Sequence, residues 1–371
     1  MKKQGLRNAS ASLIAILAGL LAGFVILLVT KPESALQGLG IILKGGFNNG
    51  MKGLGQVLYL ATPLIMTGLS VGFAFKTGLF NIGAPGQLMV GGAVSVWVGC
   101  TWKFLPGGVH WVMALLMGML AGGAWGLVPG FFKAMLNVNE VISSIMMNYI
   151  GMYGINFLIR GSAVFDSTKN QTKNVLAGAV IPKGGLDKVF YNLTGNYVDV
   201  SSVNAGILIA IFLAIVMYIL LNKTTFGYEL RACGFNKSAA RYAGISEKRT
   251  IMLSMVLAGA LAGTAGALMY LAPSSGMHIH VAEVLSAEGF NGIPVALLGL
   301  SNPIGIIFSA LFIAYISVGG SYLQSLKYMQ EVIDIIIAMV IYFSAFSLLV
   351  RDLIVKVGKR RAQRSAGGEG A

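Results

Sequence analysis

The sequence is poor in charged residues, which make up 11% of its 371 positions, whereas hydrophobic residues make up 56%. Its mean hydropathy is +0.77. A soluble protein usually carries about 25% charged residues to cover its surface, so this composition excludes an ordinary soluble domain. The 50 glycines and 18 methionines fit helices that pack closely inside a membrane, where small residues let backbones approach each other. The composition therefore predicts an integral membrane protein.

Cysteine and histidine are almost absent, with two and three residues respectively. Cys100 and Cys233 form no CxxC pair, so neither a disulfide nor a thiol metal site is expected. His278 and His280 stand two residues apart and Glu283 follows them. We interpret this group as a polar external loop in preference to a metal site. The expectation is no metal, no resident cofactor and no catalytic residue.

Two further absences concern the energy source. The chain has no G-x-x-x-x-G-K-[ST] phosphate-binding loop, so it does not hydrolyse ATP by that route. Ion-coupled transporters usually carry an acid or a histidine near the middle of the membrane. Here Glu140, Glu283, Glu331 and Asp352 fall at or near the ends of apolar runs. Glu288 and Asp334 lie further inside, and each is expected about one turn from an outer end. This distribution argues against proton or sodium coupling and indicates energy supplied by another chain.

Ten apolar runs are long enough for membrane helices, which need about 20 residues each. The runs are residues 11–29, 57–75, 82–99, 109–132, 141–159, 205–221, 251–271, 284–300, 303–320 and 330–350. The sequence thus predicts an all-α membrane protein with about ten transmembrane helices.

The basic residues set the predicted orientation. The net charge of +14 could suggest a nucleic-acid partner, but the positive residues collect in three segments, as cytoplasmic loops do. Counting ten crossings from a cytoplasmic N-terminus places these three segments inside. We expect one transmembrane domain over residues 1–371. Its segments outside the membrane are a cytoplasmic N-terminus 1–10, an external loop or small cap 160–204, a cytoplasmic loop 222–250 and a basic cytoplasmic tail 351–371. We expect the tail to lie against anionic lipid.

A polar stretch occurs twice. "GLFNIGAPGQLMVGG", residues 78–92, is echoed by "EGFNGIPVALLGL", residues 288–300. The two copies are five spans apart, which gives the halves opposite orientation and predicts a 5+5 inverted repeat with broken helices. The amides of Asn81, Gln87 and Asn291 then have two interpretations. They can offer hydrogen bonds to a polar solute, or they can cap the broken helix ends.

The predicted cytoplasmic loop contains "TTFGYELRACGFNKSAARYAGISEKRT", residues 224–250. The pattern predicts a helix over 226–232, a turn around Gly234 and a second helix over about 236–243. Asn236 or Ser238 would cap this second helix, and Gly244 would end it in a left-handed conformation. Its small residues suit either a docking site for a cytoplasmic partner or a basic surface loop that sets topology.

Two of these motifs carry a family resemblance. "GYELRACGFNKSAARYAGI" resembles the coupling loop of ATP-binding-cassette (ABC) importer permeases, in the branch for ribose and other sugars, nucleosides and branched-chain amino acids. "FNIGAPGQLMVGG" resembles the membrane motif of that branch, although Pro85 stands where many relatives have a charged or polar residue. The resemblance implies ATPase-docking positions, which are Gly234, Ala239, Ala240, Gly244 and Ile245, and the capping pattern adds Asn236 to this set. It implies substrate-pathway positions, which are Asn81, Gly83, Gly86 and Gln87, and the second copy of the motif adds Asn291.

The long N-terminal segment and the 160–204 region look most similar to nucleoside permeases of the purine or guanosine type. The resemblance implies a non-catalytic, multi-pass permease subunit in the cytoplasmic membrane. Its implied partners are ABC ATPase subunits that bind ATP, a second permease that is identical or similar, and an extracytoplasmic solute-binding protein. A sugar or amino-acid ABC permease stays open as an alternative. So do an ion-coupled secondary transporter acting alone and a scaffold for a cytoplasmic complex.

Overall fold

The computed structural model describes residues 2–194, 196–199, 201–272 and 278–346. The helices within these residues are α1 (Lys2–Thr30), α2 (Ala35–Lys44), α3 (Gly50–Lys76), α4 (Ala84–Thr101), α5 (Gly107–Leu136), α6 (Glu140–Arg160), α7 (Gly206–Lys223), α8 (Thr225–Phe235), α9 (Lys237–Tyr242), α10 (Glu247–Tyr270), α11 (Ala287–Leu298), α12 (Pro303–Ser321) and α13 (Gln330–Ala345). Each predicted span overlaps one long helix or α11. The end of the last span, residues 347–350, and the predicted tail 351–371 lie outside the described residues.

Six helical stretches in the described part of the chain are long and apolar enough to cross a membrane. They are Pro32–Lys76, Gly107–Leu136, Glu140–Arg160, Gly206–Lys223, Glu247–Tyr270 and Pro303–Leu326. This result confirms a helical membrane protein. The prediction for residues 284–300 differs from the structure, because α11 has only 12 residues and extends about 18 Å. A helix of that length cannot cross an apolar layer of about 30 Å by itself.

The 160–204 region contains strands that the sequence analysis does not predict. β1 (Phe165–Asp166) pairs antiparallel with β2 (Gln171–Thr172), and β3 (Tyr191–Thr194) pairs antiparallel with β4 (Asn196–Asp199). Strands this short give no periodic hydrophobic signal, so only their pairing defines them. The region is fastened to the end of α10, where the backbone N–H of Ile181 donates to the carbonyl of Leu271 over 2.9 Å.

The chain divides into two compact units. Unit 1 is formed by Met1–Asn48 and Tyr315–Ala371, and in its described part α1 packs along α13. Unit 2 is Asn49–Ala314 and contains α3 to α11. All the predicted site residues belong to unit 2.

In unit 2, α5 packs against α4 and α10 and runs in the opposite direction to both. The ring of His110, near the start of α5, lies 3.1 Å from the carbonyl oxygen of Val98, near the end of α4. At the other end of α5, a Cβ added at Gly130 would lie 2.9 Å from the Cβ of Met255, early in α10. Since α5 is antiparallel to both neighbours, α4 and α10 run in the same direction.

The contact between α5 and α10 is made by glycine. Gly118, Gly122 and Gly126 recur every fourth residue on α5 and therefore share one face. A Cβ added at Gly263 of α10 would lie 2.5 Å from the carbonyl oxygen of Gly118 and 2.8 Å from the Cα of Gly122. The two backbones are in direct contact, as in membrane helix pairs with small residues at every fourth position.

We expect Gly263→Leu to destabilise unit 2, because a side chain at this position overlaps the α5 backbone. Overpacking of this kind costs roughly 1–3 kcal/mol. The measurement is the midpoint of thermal unfolding of the purified protein in detergent. Gly154→Leu is the matched control, since nothing lies within 4 Å of a Cβ added there. Equal midpoints for the two variants would contradict the close contact.

Candidate functional site

The first copy of the repeated motif folds back into the depth of unit 2. α3 ends at Lys76, and the following chain returns along it. The amide nitrogen of Asn81 donates to the hydroxyl of Ser70 over 2.9 Å. Ser70 lies six residues before the end of α3, which corresponds to about 9 Å along the helix. α4 then starts at Ala84, so it is an interrupted helix that begins inside the protein.

The amides of Asn81 and Gln87 pair with each other. Asn81 donates to the Gln87 oxygen over 2.8 Å, and Gln87 donates back over 3.2 Å. The Asn81 oxygen also accepts the backbone N–H of Gly83 at 3.2 Å. Asn81 and Gln87 are 0% and 1% exposed. Because their groups bond to protein in this conformation, the geometry favours the helix-capping interpretation over direct contact with a solute.

Asn148 of α6 completes this interrupted end, and the sequence analysis missed it. Its oxygen accepts the backbone N–H of Gly86 at 2.9 Å, and its nitrogen donates to the carbonyl of Ile82 at 2.9 Å. A Cβ added at Gly86 would lie 2.8 Å from the Cα of Asn148, so only glycine allows this approach. The available signal was a buried amide inside the apolar run 141–159.

The second copy of the motif forms α11, which lies along α3. A Cβ added at Gly292 would lie 2.7 Å from the carbonyl carbon of Thr67, and one added at Gly72 would lie 3.6 Å from the Cβ of Ala296. The later residue of α11 contacts the later residue of α3, so the two helices run in the same direction. Asn291 is half-buried, and its amide makes no hydrogen bond to any residue that the structure describes. Among the predicted pathway amides, this one is available to a solute.

The 222–250 segment folds into α8 and α9. Asn236 occupies the N-cap of α9, and its oxygen accepts the backbone N–H of Ala239 at 3.0 Å. This result confirms one of the two predicted caps and selects Asn236 over Ser238. The hydrogen bond satisfies a backbone donor that a short helix cannot pair internally.

The end of α9 also follows the prediction. Gly244 has φ +82°, which is the left-handed conformation that favours glycine. The backbone N–H of Ile245 donates to the carbonyl of Ala240 over 3.0 Å, which closes a Schellman-type helix end. Ala240 is buried beneath α9, whereas Ala239 and Gly244 are exposed.

The predicted turn around Gly234 was wrong, because this residue lies in the last turn of α8. A Cβ added there would lie 2.5 Å from the carbonyl oxygen of Lys76 and 2.8 Å from the carbonyl carbon of Thr77. Gly78 faces it with φ +73°. Two glycine backbones thus join α8 to the chain that leaves α3. Gly234 is a packing residue, and a large side chain there would separate the two segments.

Exposed aromatic residues lie near both ends of α9, and the sequence analysis overlooked them. Phe235 and Tyr242 are each 96% exposed, and Tyr228 on α8 is 64% exposed. Large aromatic side chains are enriched in protein interfaces and are rarely left wholly in solvent. The signal in the sequence was the placement of these rings among small and basic residues.

A groove of about 440 Å³ opens between α8, the end of α9 and α10. Its lining includes Glu229 and Arg249 together with the Gly244–Ser246 turn. Cys233 is buried on α8, and burial raises the pKa of its thiol above the ordinary value. Such a thiol stays protonated and unreactive at neutral pH. The described residues contain no group of three potential metal ligands.

Comparisons with known proteins identify the family of the chain. The family described as "Branched-chain amino acid transport system / permease component" matches residues 53–345. The guanosine ABC transporter permease protein NupP of Bacillus subtilis is 38% identical over 94% of this chain and 97% of its own length. The nucleoside ABC transporter permease protein NupB of Lactococcus lactis is 34% identical over 98% of each chain.

A glucose ABC transporter permease protein, TsgB13 of Haloferax volcanii, is 33% identical over 78% of this chain and 75% of its own length. No solved structure matches the chain. The family match covers most of the sequence, and two relatives align almost from end to end. The chain therefore belongs to the branched-chain amino acid transport system permease family.

Proposed function

We propose that the chain is the membrane permease subunit of an ABC importer for a nucleoside or a related ribose-containing solute. The observation that carries this proposal is the nearly full-length similarity to two permeases named for guanosine and nucleosides. The similarity to the glucose permease covers a smaller share of both chains, and it supports a sugar as the alternative solute. The subunit itself is non-catalytic, and separate ATPase subunits bind and hydrolyse ATP.

The interrupted helices support the proposed 5+5 inverted repeat. The hydroxyls of Thr77, at the end of α3, and Ser254, early in α10, lie 2.6 Å apart, so α3 is antiparallel to α10. Because α4 runs with α10 and α11 runs with α3, the two copies of the motif point in opposite directions. Two inverted halves of five crossings each make ten crossings in total, which leave both termini on the cytoplasmic side in the proposed topology.

The 222–250 segment is the proposed docking site for the ATPase. Its exposed positions are Asn236, Ala239 and Gly244, and two fully exposed rings stand beside them. Gly234, Ala240 and Ile245 support this surface from beneath or from its edge. ATP-driven movement of the docked helix is then passed to α3 through the Gly234–Gly78 contact. The remaining proposed partners are a second permease, identical or similar, and an extracytoplasmic solute-binding protein.

The solute and the energy source can be tested together. The permease is reconstituted in liposomes with its co-purifying ATPase and binding protein, and uptake of radiolabelled guanosine is measured. We expect uptake to require ATP and to persist when ionophores collapse the ion gradients. Unlabelled nucleosides should compete, whereas glucose and leucine should not. Uptake that is driven by an ion gradient without ATP would instead support a secondary transporter.

The docking surface is tested with Phe235→Ala and Tyr242→Ala. Both side chains are almost fully exposed, so the fold should be kept. Loss of an interface anchor typically costs about 2 kcal/mol or more, which is at least about thirtyfold in affinity. We expect less ATPase to co-purify with each variant and less ATP-driven uptake.

Phe104→Ala is the matched control, since this ring is 76% exposed in the turn between α4 and α5. The proposed topology puts that turn on the opposite side of the membrane. ATPase recovery that is equal for all three variants would exclude the two rings as docking anchors.

A further inference from the structure

Glu288 lies deeper than its sequence position suggests. Gly292 is beside Thr67, and α11 is parallel to α3. Glu288 precedes Gly292 by four residues, or about 6 Å, which places it level with Pro63. Pro63 is the central residue of α3, a helix of 27 residues. The expectation that Glu288 lies one turn from an outer end was therefore wrong, because α11 starts at mid-depth.

The hydrogen-bonding groups around Glu288 are only partly used. The Ser286 hydroxyl donates to one carboxylate oxygen over 2.6 Å. Asn291 lies about one helical turn further along, and its amide makes no hydrogen bond to any described residue.

A purely structural role explains this arrangement poorly. An acid in the first turn of a helix often accepts hydrogen bonds from the helix backbone. Ser286 is the N-cap residue of α11, but neither its side chain nor that of Glu288 makes such a bond. Ionisable groups at mid-membrane depth are expensive and are usually kept for contact with a solute or an ion.

The other interrupted helix, α4, begins next to the start of α11. Gly289 packs directly against the backbone of Pro85, in the first turn of α4. Interrupted helices whose N-termini converge at mid-depth are typical of transporter binding sites. The carboxylate therefore stands where the two copies of the motif meet.

We propose that Glu288 and Asn291 form the subsite that recognises the base of the transported nucleoside. This inference rests on the proposed nucleoside function and deepens it. A carboxylate presents acceptors only, so Glu288 selects a base edge with two adjacent N–H donors. Guanine has this edge, formed by its ring N1–H and its exocyclic amine. Adenine presents one donor beside one acceptor and matches an amide instead.

The test compares Glu288→Gln with the wild type in ATP-driven uptake of guanosine and adenosine at equal concentrations. Glutamine keeps the size of the side chain but offers one donor and one acceptor. We expect guanosine uptake to fall about tenfold relative to adenosine uptake, because one of the paired donors is left without an acceptor. Glu283→Gln is the matched control, since Glu283 is exposed before α11. It should leave the guanosine-to-adenosine ratio unchanged.

An unchanged ratio in Glu288→Gln would overturn the subsite, and so would an equal loss of uptake for both nucleosides. These outcomes are separable from a failure of the proposed function, in which the wild-type complex takes up neither nucleoside. Stimulation of ATP hydrolysis by the loaded binding protein, measured on the same samples, shows that docking is intact in each variant.

Discussion

Every backbone polar group at membrane depth must find its hydrogen-bond partner within the protein, and unit 2 is organised by this constraint. An uninterrupted helix meets it internally, but the break between α3 and α4 does not. Two side chains pair its backbone groups: Asn81 accepts the N–H of Gly83, and Asn148 bonds to the N–H of Gly86 and the carbonyl of Ile82. Ser70 and Gln87 hold Asn81 in place. The amides that attract attention in the sequence are therefore used first to make a broken helix stable.

Close backbone contact follows from the same environment. Lipid tails are as apolar as leucine, so helices gain little by burying large side chains and associate through tight packing. Glycine provides this packing between α5 and α10, between α4 and α11, and between α8 and the end of α3. The same type of contact thus stabilises the helix bundle and connects the proposed docking loop with the interrupted helix.

Local features could be predicted from the sequence, and features that depend on distant contacts could not. The helices follow from apolar runs, and the ends of α9 follow from Asn236 and Gly244, because capping is decided within a few residues. The partner of Gly86 lies on another helix, and the depth of Glu288 depends on how α11 lies along α3. The packing of Gly234 needs the position of Gly78. None of these relations has a signal within one segment of sequence.

The contact between Gly234 and Gly78 has a consequence for the history of this loop. No side chain lies between the two backbones, so neither position can change without displacing the other segment. Residues 76–78 and the end of α8 therefore constrain each other sterically, although more than 150 positions separate Gly78 from Gly234 along the chain. A loop transferred from a relative would fit this permease only if it also had glycine at the position of Gly234.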